Sequence, residues 1–310
     1  MSLSQPEPGE KMPDIMDIPN NLYRATNPLI GEVIENKFIA PEEPFERQVC
    51  HIVIRYQDPN FRYIPGQSVG VIPPGADPKT GKPQQLRLYS VASDRKGDLG
   101  DGLTVSLCVV RHFWDNEKTG EKNIAGVCSN YLCDLKVGDK VKLTGPVGRH
   151  FLIPPDFKDR DFIFLSTGTG IAPFRGMLKE LFEGGYRGSC WHIFGTQFKD
   201  RVLYDGEIKP YEKHPNFHYL TAVSREEVNP MPEHVPTRQN RMYVQVKMAQ
   251  HERALIPAVA KPSSLLYICG LKGMEAGILP VIDSWGRELG QGENWSQTLK
   301  AQRRLLLEVY

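Results

Sequence analysis

A change of hydrophobic period near the middle of the chain sets the tightest limit on what it can fold into. From Leu29 to Leu152, short apolar runs are punctuated by turn residues: GEVIENKFIA, RQVCHIVIRY, QSVGVIPPG, LRLYSVAS, LTVSLCVVR and DKVKLTGPVG. Regular strand-turn spacing of this kind predicts an antiparallel sheet or barrel. One helical segment interrupts it, SNYLCDL after Gly126, with Ser129 or Asn130 placed to cap its first amides. Beyond the Pro-rich turn IPPDF the pattern changes. DFIFLSTGTG is a continuous apolar run ending in glycines, and APFRGMLKELFEGG is an amphipathic helix with Pro173 near its start. CWHIFGT, FHYLTAVS, SLLYICG and RLLLEVY then alternate with helical patterns in VQVKMAQHERALIPAVA and GILPVIDSWGRELG, which predicts a parallel sheet with helices on its faces.

The boundary between the two patterns falls near residues 153–160, and 310 residues suit two domains of ~150 residues each. The division expected is a flexible N-terminal tail over 1–24, a barrel over 25–155 and an α/β domain over 156–310. Residues 1–22 are rich in Pro, Asp and Glu and lack periodicity, so they bury too little to offset the entropy of ordering. The 38 Lys+Arg and 37 Asp+Glu leave a formal charge of +1, which gives no whole-protein basic footprint for nucleic acid. No apolar run reaches the length of a membrane span and the N-terminus has no signal-peptide pattern, so a cytoplasmic protein without an export signal is expected. Cys50, Cys108, Cys128, Cys133, Cys190 and Cys269 are scattered, with no CxxC pair, and read as reduced buried thiols rather than metal ligands.

Six places carry residue types suited to chemistry, each with an ordinary reading beside it. Ser166-Thr167-Gly168-Thr169-Gly170 joins a buried strand to a helix, where free amides favour a phosphate; a plain turn uses the same letters. It departs from GxGxxG because Pro173 takes the last glycine position, and it is no P-loop because no Lys-Ser/Thr pair follows. Arg87 and Tyr89 share one face of a strand and Leu88 and Ser90 the other. An Arg beside an aromatic ring suits a phosphate and a flat ring system, or is a surface Arg beside a half-buried Tyr. Trp114 is a stacking platform or a surface packing residue. Arg225, after a strand in Ser224-Arg225-Glu226, is a phosphate ligand or half of a surface ion pair. Arg241, Tyr243 and Gln245 point the same way if extended, and equally fit the start of a helix. The terminal Glu308-Val309-Tyr310 delivers a ring and the chain carboxylate to one place, or frays.

In collinear order, LRLYSVAS, VSLCVVR, GVCSNYLCDL, KLTGPVG, LSTGTGIAPFRG, AVSRE, MYVQVKMAQ, YICGLKGMEAGI and a terminal EVY make the chain, over about residues 25 to 310, similar to the plant-type ferredoxin-NADP reductases. The resemblance implies an antiparallel Greek-key FAD-binding barrel followed by a parallel-sheet NADP-binding α/β domain. It implies that the strand Arg87-Leu88-Tyr89-Ser90 supports FAD, with Arg87 on the pyrophosphate, Tyr89 flanking the isoalloxazine and Ser90 near flavin N5. Cys108 and Val109 match main-chain partners of the flavin, and Trp114 falls where the family usually stacks a Tyr on the adenine. Gly126, Val127, Cys128 and Ser129 match the cradle for the FAD phosphates. Thr169 and Gly170 should face the NADP pyrophosphate or nicotinamide arm, and Ser224, Arg225, Arg241, Tyr243 and Gln245 should surround the adenosine 2′-phosphate, which selects NADPH over NADH. Ser90, Cys269, Glu308 and Tyr310 are the expected catalytic residues, with Tyr310 stacked where the nicotinamide must lie.

Two departures stand out. The segment between Arg225 and Arg241 is several residues longer than usual, and Ser166 replaces a common Gly. The implied activity is an FAD-dependent transfer of hydride with NADP(H) and of single electrons with ferredoxin or flavodoxin, in a protein expected to be a monomer. The alternatives are the reductase component of an oxygenase system and a non-catalytic nucleotide-binding module. Such carriers are acidic, so a basic docking patch is expected from among Lys79, Lys82, Arg149, Lys300, Arg303 and Arg304. Val110 stands where plant members often carry a Lys.

Overall fold

The computed structural model describes residues 18–77 and 80–310, arranged around two main sheets. The first half of the chain runs β1 (Leu29–Phe38), β2 (Val49–Arg55), β3 (Ser68–Ile72), β4 (Arg87–Ser90), β5 (Thr104–Val110), a small hairpin of β6 (Phe113–Trp114) and β7 (Ile124–Ala125), α1 (Val127–Asp134) and β8 (Lys140–Val147). Six of these strands form an antiparallel sheet in the order β4-β3-β8-β1-β2-β5. The last strand returns to lie between β1 and β3, as in a Greek key. A bridge between Val91 and Leu107 joins the two edges, closing the sheet around Val33, Ile52, Ile54, Val69, Leu107 and Leu143.

Along β1 the inward residues Leu29, Gly31 and Val33 alternate with exposed ones, the mark of a strand wetted on one face. In β2 and β5 nearly every residue is buried instead. Their second face is covered by the other half of the chain: Val49 and Cys108 pack in one cluster with Phe162, Phe164, Phe174 and Tyr267. Of the expected tail, residues 1–17 lie outside the described residues. Its remainder is docked, contrary to expectation: Gln67 donates to the Pro19 carbonyl, Asn21 N–H to Pro146 O, and Tyr23 bridges to Gly145.

The second half runs β9 (Phe162–Thr167), α2 (Ala172–Glu183), β10 (Cys190–Thr196), α3 (Asp205–Ile208), β11 (Phe217–Val223), α4 (Val244–Gln250), α5 (Glu252–Ala260), β12 (Leu265–Gly270), α6 (Met274–Glu288), α7 (Trp295–Ala301) and β13 (Leu305–Val309). Its five strands are parallel in the order β11-β10-β9-β12-β13. The chain leaves β9 in one direction, then crosses back to its other side for β12, so a crevice opens at the carboxyl ends of the strands where the direction reverses. The helical pattern over 244–260 is two helices broken at His251. The short α7 has few apolar anchors, Trp295 and Leu299, and escaped the periodicity.

A buried polar network ties the halves together. His51 on β2 shares a hydrogen bond with the Tyr204 hydroxyl at 2.9 Å and meets Asp98 at 2.8 Å, and Arg175 on α2 donates to Asp98 at 2.8 Å. Burial pushes the Asp98 carboxyl up, but His51 and Arg175 outweigh it and hold the group well below the usual range. The Tyr267 hydroxyl donates to Leu152 O at 2.6 Å across the same seam.

Candidate functional site

Strand β4 is RLYS and nothing more, an edge strand of the sheet. On its opposite faces Leu88, 56% exposed, and Arg87 both reach water; among the described residues the Arg87 guanidinium has a 3.1 Å bond to Leu86 O and a 3.4 Å bond to Gln85 and no ion pair. Tyr89 leans on the barrel core beside Cys128, and Ser90 is half-buried. Nearby, α1 begins at Val127 with Gly126 as its N-cap and no side-chain cap bond. This corrects the expected capping by Ser129 or Asn130. Ser129 lies inside the first turn with its hydroxyl on Gly126 O, and the Asn130 amide donates to the carbonyls of His112 and Gly126. The opening amides of α1 therefore have no side-chain acceptor, and no acidic residue stands in that turn. Val127 is 54% exposed and Trp114, on β6, 45%. A guanidinium with no ion pair among the described residues, a helix start with no side-chain cap and large apolar side chains left in water suit a ligand with a pyrophosphate and flat rings. Cys108 and Val109 are buried near the end of β5. Burial pushes the Cys108 thiol up to about 12, with opposing influence from Tyr204.

On the other side of the seam lies a cavity of about 490 Å³, within the usual range for ligand sites. It follows the carboxyl ends of the parallel strands: Thr167 and Gly168 after β9, Gly195, Thr196 and Gln197 after β10, Ser224 and Arg225 after β11, Leu271 after β12. Arg241, Tyr243 and Gln245 line it too, although they are not one extended segment. Tyr243 is the N-cap residue of α4 and Gln245 sits in its first turn. The long excursion 226–240 leads Arg241 back to Arg225, because its base is pinned. Val228 bridges to Arg241, Asn229 N–H donates to Asn240 O at 2.7 Å, and the buried Asn229 amide donates to Val235 O at 2.7 Å. A second hollow of about 610 Å³ adjoins, sharing Arg47, Ser224, Arg225 and Arg241 with the first.

Thr169 and Gly170 do not line this cavity. A tight turn, Gly168–Ile171, separates β9 from α2, and the start of α2 is buried, so the amides expected to cradle a phosphate are covered. Gly170 is glycine because the chain passes too close for any side chain: a Cβ there would lie 2.3 Å from Cys269 O. Gly270 is glycine for its backbone, with φ at +150° and Thr167 against it. Ser166, in place of the common Gly, is buried and bonds His192 at 2.9 Å.

The chain end is anchored rather than frayed. Tyr310 N–H donates to Gly270 O at 3.0 Å, Lys272 N–H donates to Tyr310 O at 2.8 Å, and the Tyr310 and Thr169 hydroxyls bond at 2.7 Å. Tyr310 as a residue is nonetheless 54% exposed. Parallel pairing places Cys269 level with Ser166 on one side and Glu308 on the other. Burial raises the Glu308 carboxyl to about 7, and it has no hydrogen-bond or ion-pair partner among the described residues. The buried Cys269 thiol is pushed far up by burial and then by Glu308, so it stays protonated.

Sequence reasoning missed Arg47, Gln197, Arg201 and Met274 as lining residues. Gln197 follows a parallel strand, which is a legible signal; Arg47 comes from a turn of the other domain, which is not. Of the docking cations, Lys79 lies outside the described residues, while Lys82, Arg149, Lys300 and Arg303 are exposed. Arg304 is not available: it donates to the carbonyls of Val259, Lys261 and Ser264 at the end of α5. Among the described residues, no helix is long and apolar enough to cross a membrane.

Residues 164–279 match the family model described as oxidoreductase NAD-binding domain. The ferredoxin-NADP reductase of Synechocystis is 40% identical over 98% of this chain and 72% of its own. The chloroplastic root isozyme 1 of Arabidopsis thaliana is 40% identical over 95% of this chain and 77% of its own. A crystal structure of a ferredoxin-NADP+ reductase mutant from Plasmodium falciparum with 2′P-AMP superposes with a TM-score of 0.71 at 26% identity, covering 94% of this chain and 98% of that one.

Proposed function

From the premise that the chain belongs to the ferredoxin-NADP reductase family, we propose how its residues share the work of an FAD-dependent oxidoreductase acting on NADP(H) and ferredoxin. Bound FAD supplies the redox chemistry, taking two electrons as hydride from NADPH and returning them singly. The residues at the barrel edge fit that group. Arg87 and the open amides of Val127, Cys128 and Ser129 at Gly126 would hold its phosphates, Trp114 its adenine, and Leu88, Tyr89 and Ser90 its ring system, with Cys108 and Val109 beside it. The observation that carries the reading is the clustering at the carboxyl ends of the parallel strands. Cys269 and Glu308 pair side by side, Tyr310 docks on Gly270 and Thr169, and the arginine-lined cavity opens at Thr167, Gly168 and Leu271 of the same strand ends.

NADP(H) is the substrate that the cavity suits. Ser224, Arg225 and Arg241 meet on one wall, where a phosphate dianion pairs with guanidiniums and a hydroxyl, and Tyr243 and Gln245 complete the pocket. A structural neighbour at 26% identity was crystallised with 2′P-AMP, a ligand that carries this phosphate, and so supports the choice of substrate. Because NADH offers no 2′-phosphate, it leaves those cations unpaired, and NADPH is preferred. Tyr310 covers the place the nicotinamide needs, so it swings aside at each turnover and gives up its bond to Thr169. Gly170 brings the Thr169 turn against Cys269 and so sets where that ring rests. The neutral Cys269 thiol packs without adding charge, and Glu308, titrating near neutrality, holds or yields a proton at its carboxyl.

Ferredoxin is the partner, with flavodoxin an equivalent acidic carrier, docking on Lys82 and Arg149 of the barrel and Lys300 and Arg303 of the α/β domain. The buried free thiols suit a monomer in a reducing cytoplasm. The testing experiment is a visible spectrum of the purified protein, then stopped-flow mixing with NADPH and with ferredoxin. Bound flavin, rapid bleaching by NADPH and reoxidation by ferredoxin are expected. A colourless protein, or one that NADPH leaves oxidised, refutes the assignment.

A further inference from the structure

The cavity wall carries more positive charge than its motifs account for. Four guanidiniums, those of Arg47, Arg201, Arg225 and Arg241, line the same space, and none has an ion-pair partner among the described residues. Of the carboxylates in the adjoining hollow, Glu227 pairs with Lys247 at 3.5 Å, and Glu226, which accepts from Lys199 N–H at 3.3 Å, leaves the arginines in excess. Uncompensated like charges within one wall repel, and an arriving anion relieves that repulsion.

Three of the four, Arg47, Arg225 and Arg241, also line the second hollow, so the wall common to both spaces consists of these arginines and Ser224. Arg47 differs in origin. It closes a one-turn helix, Phe45–Arg47, ahead of β2, and among the described residues is the only charged one the barrel brings to the main cavity. Its guanidinium reaches across the seam to donate to Gln197 Oε1 at 2.8 Å, a neutral partner that leaves its charge unspent. Arg201 does something else. Both of its terminal nitrogens are given to backbone, one to Arg47 O at 2.9 Å and the other to Glu43 O at 2.6 Å, so it grips the Arg47 turn on either side.

Resting on the NADP(H) reading above, we propose that Arg47 is a third arginine on the adenosine 2′-phosphate, supplied by the barrel domain, and that Arg201 is a positioning residue holding the Arg47 turn in place. The dinucleotide is thus gripped by both domains at its adenosine end, as well as at the nicotinamide end where the seam must admit it. Selectivity for the phosphorylated cofactor then depends on how the domains are seated, and not on the α/β domain alone.

The test is calorimetric titration of the flavin-loaded enzyme with 2′-phospho-AMP and with 5′-AMP, in Arg47→Ala, Arg201→Ala, their double variant and Arg225→Ala, each checked for an unchanged flavin spectrum. Losing one charged hydrogen-bond donor to a phosphate weakens binding about tenfold or more. Arg47→Ala should do so for 2′-phospho-AMP and leave 5′-AMP unaffected, with Arg47→Lys recovering part of the loss. Arg201→Ala should weaken the same ligand less, and the double variant should be no worse than Arg47→Ala. If Arg225→Ala weakens 2′-phospho-AMP while Arg47→Ala does not, the third-arginine proposal fails and the 2′-phosphate site stands. If neither variant weakens it, the NADP(H) reading itself fails. Equal losses for both nucleotides in Arg47→Ala remove Arg47 from the 2′-phosphate, and additive losses in the double variant remove Arg201 from its positioning role.

Discussion

Replacing Glu308 by Gln should make the protein's stability advantage depend on pH in a direction fixed by the fold. The carboxyl is part-buried at the end of β13 with no partner among the described residues, and burial raises it from 4.5 to about 7. Below pH 4.5 the group is protonated whether the chain is folded or not, and Gln, its neutral isostere, changes little. Between 4.5 and about 7 the folded protein keeps a proton that the unfolded chain releases, so the wild type loses stability as the pH rises, and above about 7 the loss is complete. At ~1.36 kcal/mol per pH unit, that interval caps the penalty at about 3 kcal/mol. With ~2.1 cal/mol/K of unfolding entropy per residue, a chain of this length converts the penalty into a Tm difference of about 5 °C. Calorimetric scans of the flavin-loaded wild type and Glu308→Gln at pH 5, 6, 7 and 8 should show nearly equal Tm at the acid end and the variant higher by a few degrees at pH 8. A Tm difference that stays constant across that range would show that Glu308 is solvated or paired in the folded protein, contrary to the geometry. The same variant should flatten any step near pH 7 in the rate of flavin reduction by NADPH.

Four further outcomes are expected. Arg225→Ala should lower kcat/KM for NADPH by roughly 100-fold while changing NADH little, as expected when a charged pair to phosphate is lost; parallel losses for both cofactors would contradict the 2′-phosphate assignment. Tyr310→Ser should raise NADH turnover and narrow the NADPH/NADH ratio, since the nicotinamide no longer competes with a ring, and an unchanged ratio argues that Tyr310 does not occupy that place. Rising salt should slow ferredoxin reduction much more than turnover with a small neutral acceptor. Coincident salt curves would rule out docking by exposed cations. On the structural side, Asp98→Ala leaves His51 and Arg175 without their shared carboxylate and should destabilise the domain seam by about 3 kcal/mol in chemical denaturation; a change below about 1 kcal/mol would mean the network is solvated.

Local pattern was enough for the two sheets, because each strand's own letters mark it as a strand. The short apolar runs punctuated by turn residues over 29–152 and the unbroken apolar run of Phe162–Leu165 are properties of the chain before it folds, whereas the exposure of Ile30 is not. The order of motifs from Arg87-Leu88-Tyr89-Ser90 to Tyr310 likewise determined the family, and with it the cofactors. Other features depend on groups far apart in sequence. Whether Tyr310 frays or docks rests on Gly270, Lys272 and Thr169, and whether the 226–240 excursion separates Arg241 from Arg225 rests on the buried Asn229 at its base. Arg304 reads as one more surface cation until the carbonyls of α5 are seen around it. The arrival of Arg47 beside Gln197, 150 residues away along the chain, has no local signature at all. Periodicity records what a residue buries against its own element, whereas an electrostatic wall is assembled by the packing of separate elements, and only the tertiary structure decides which charges share it.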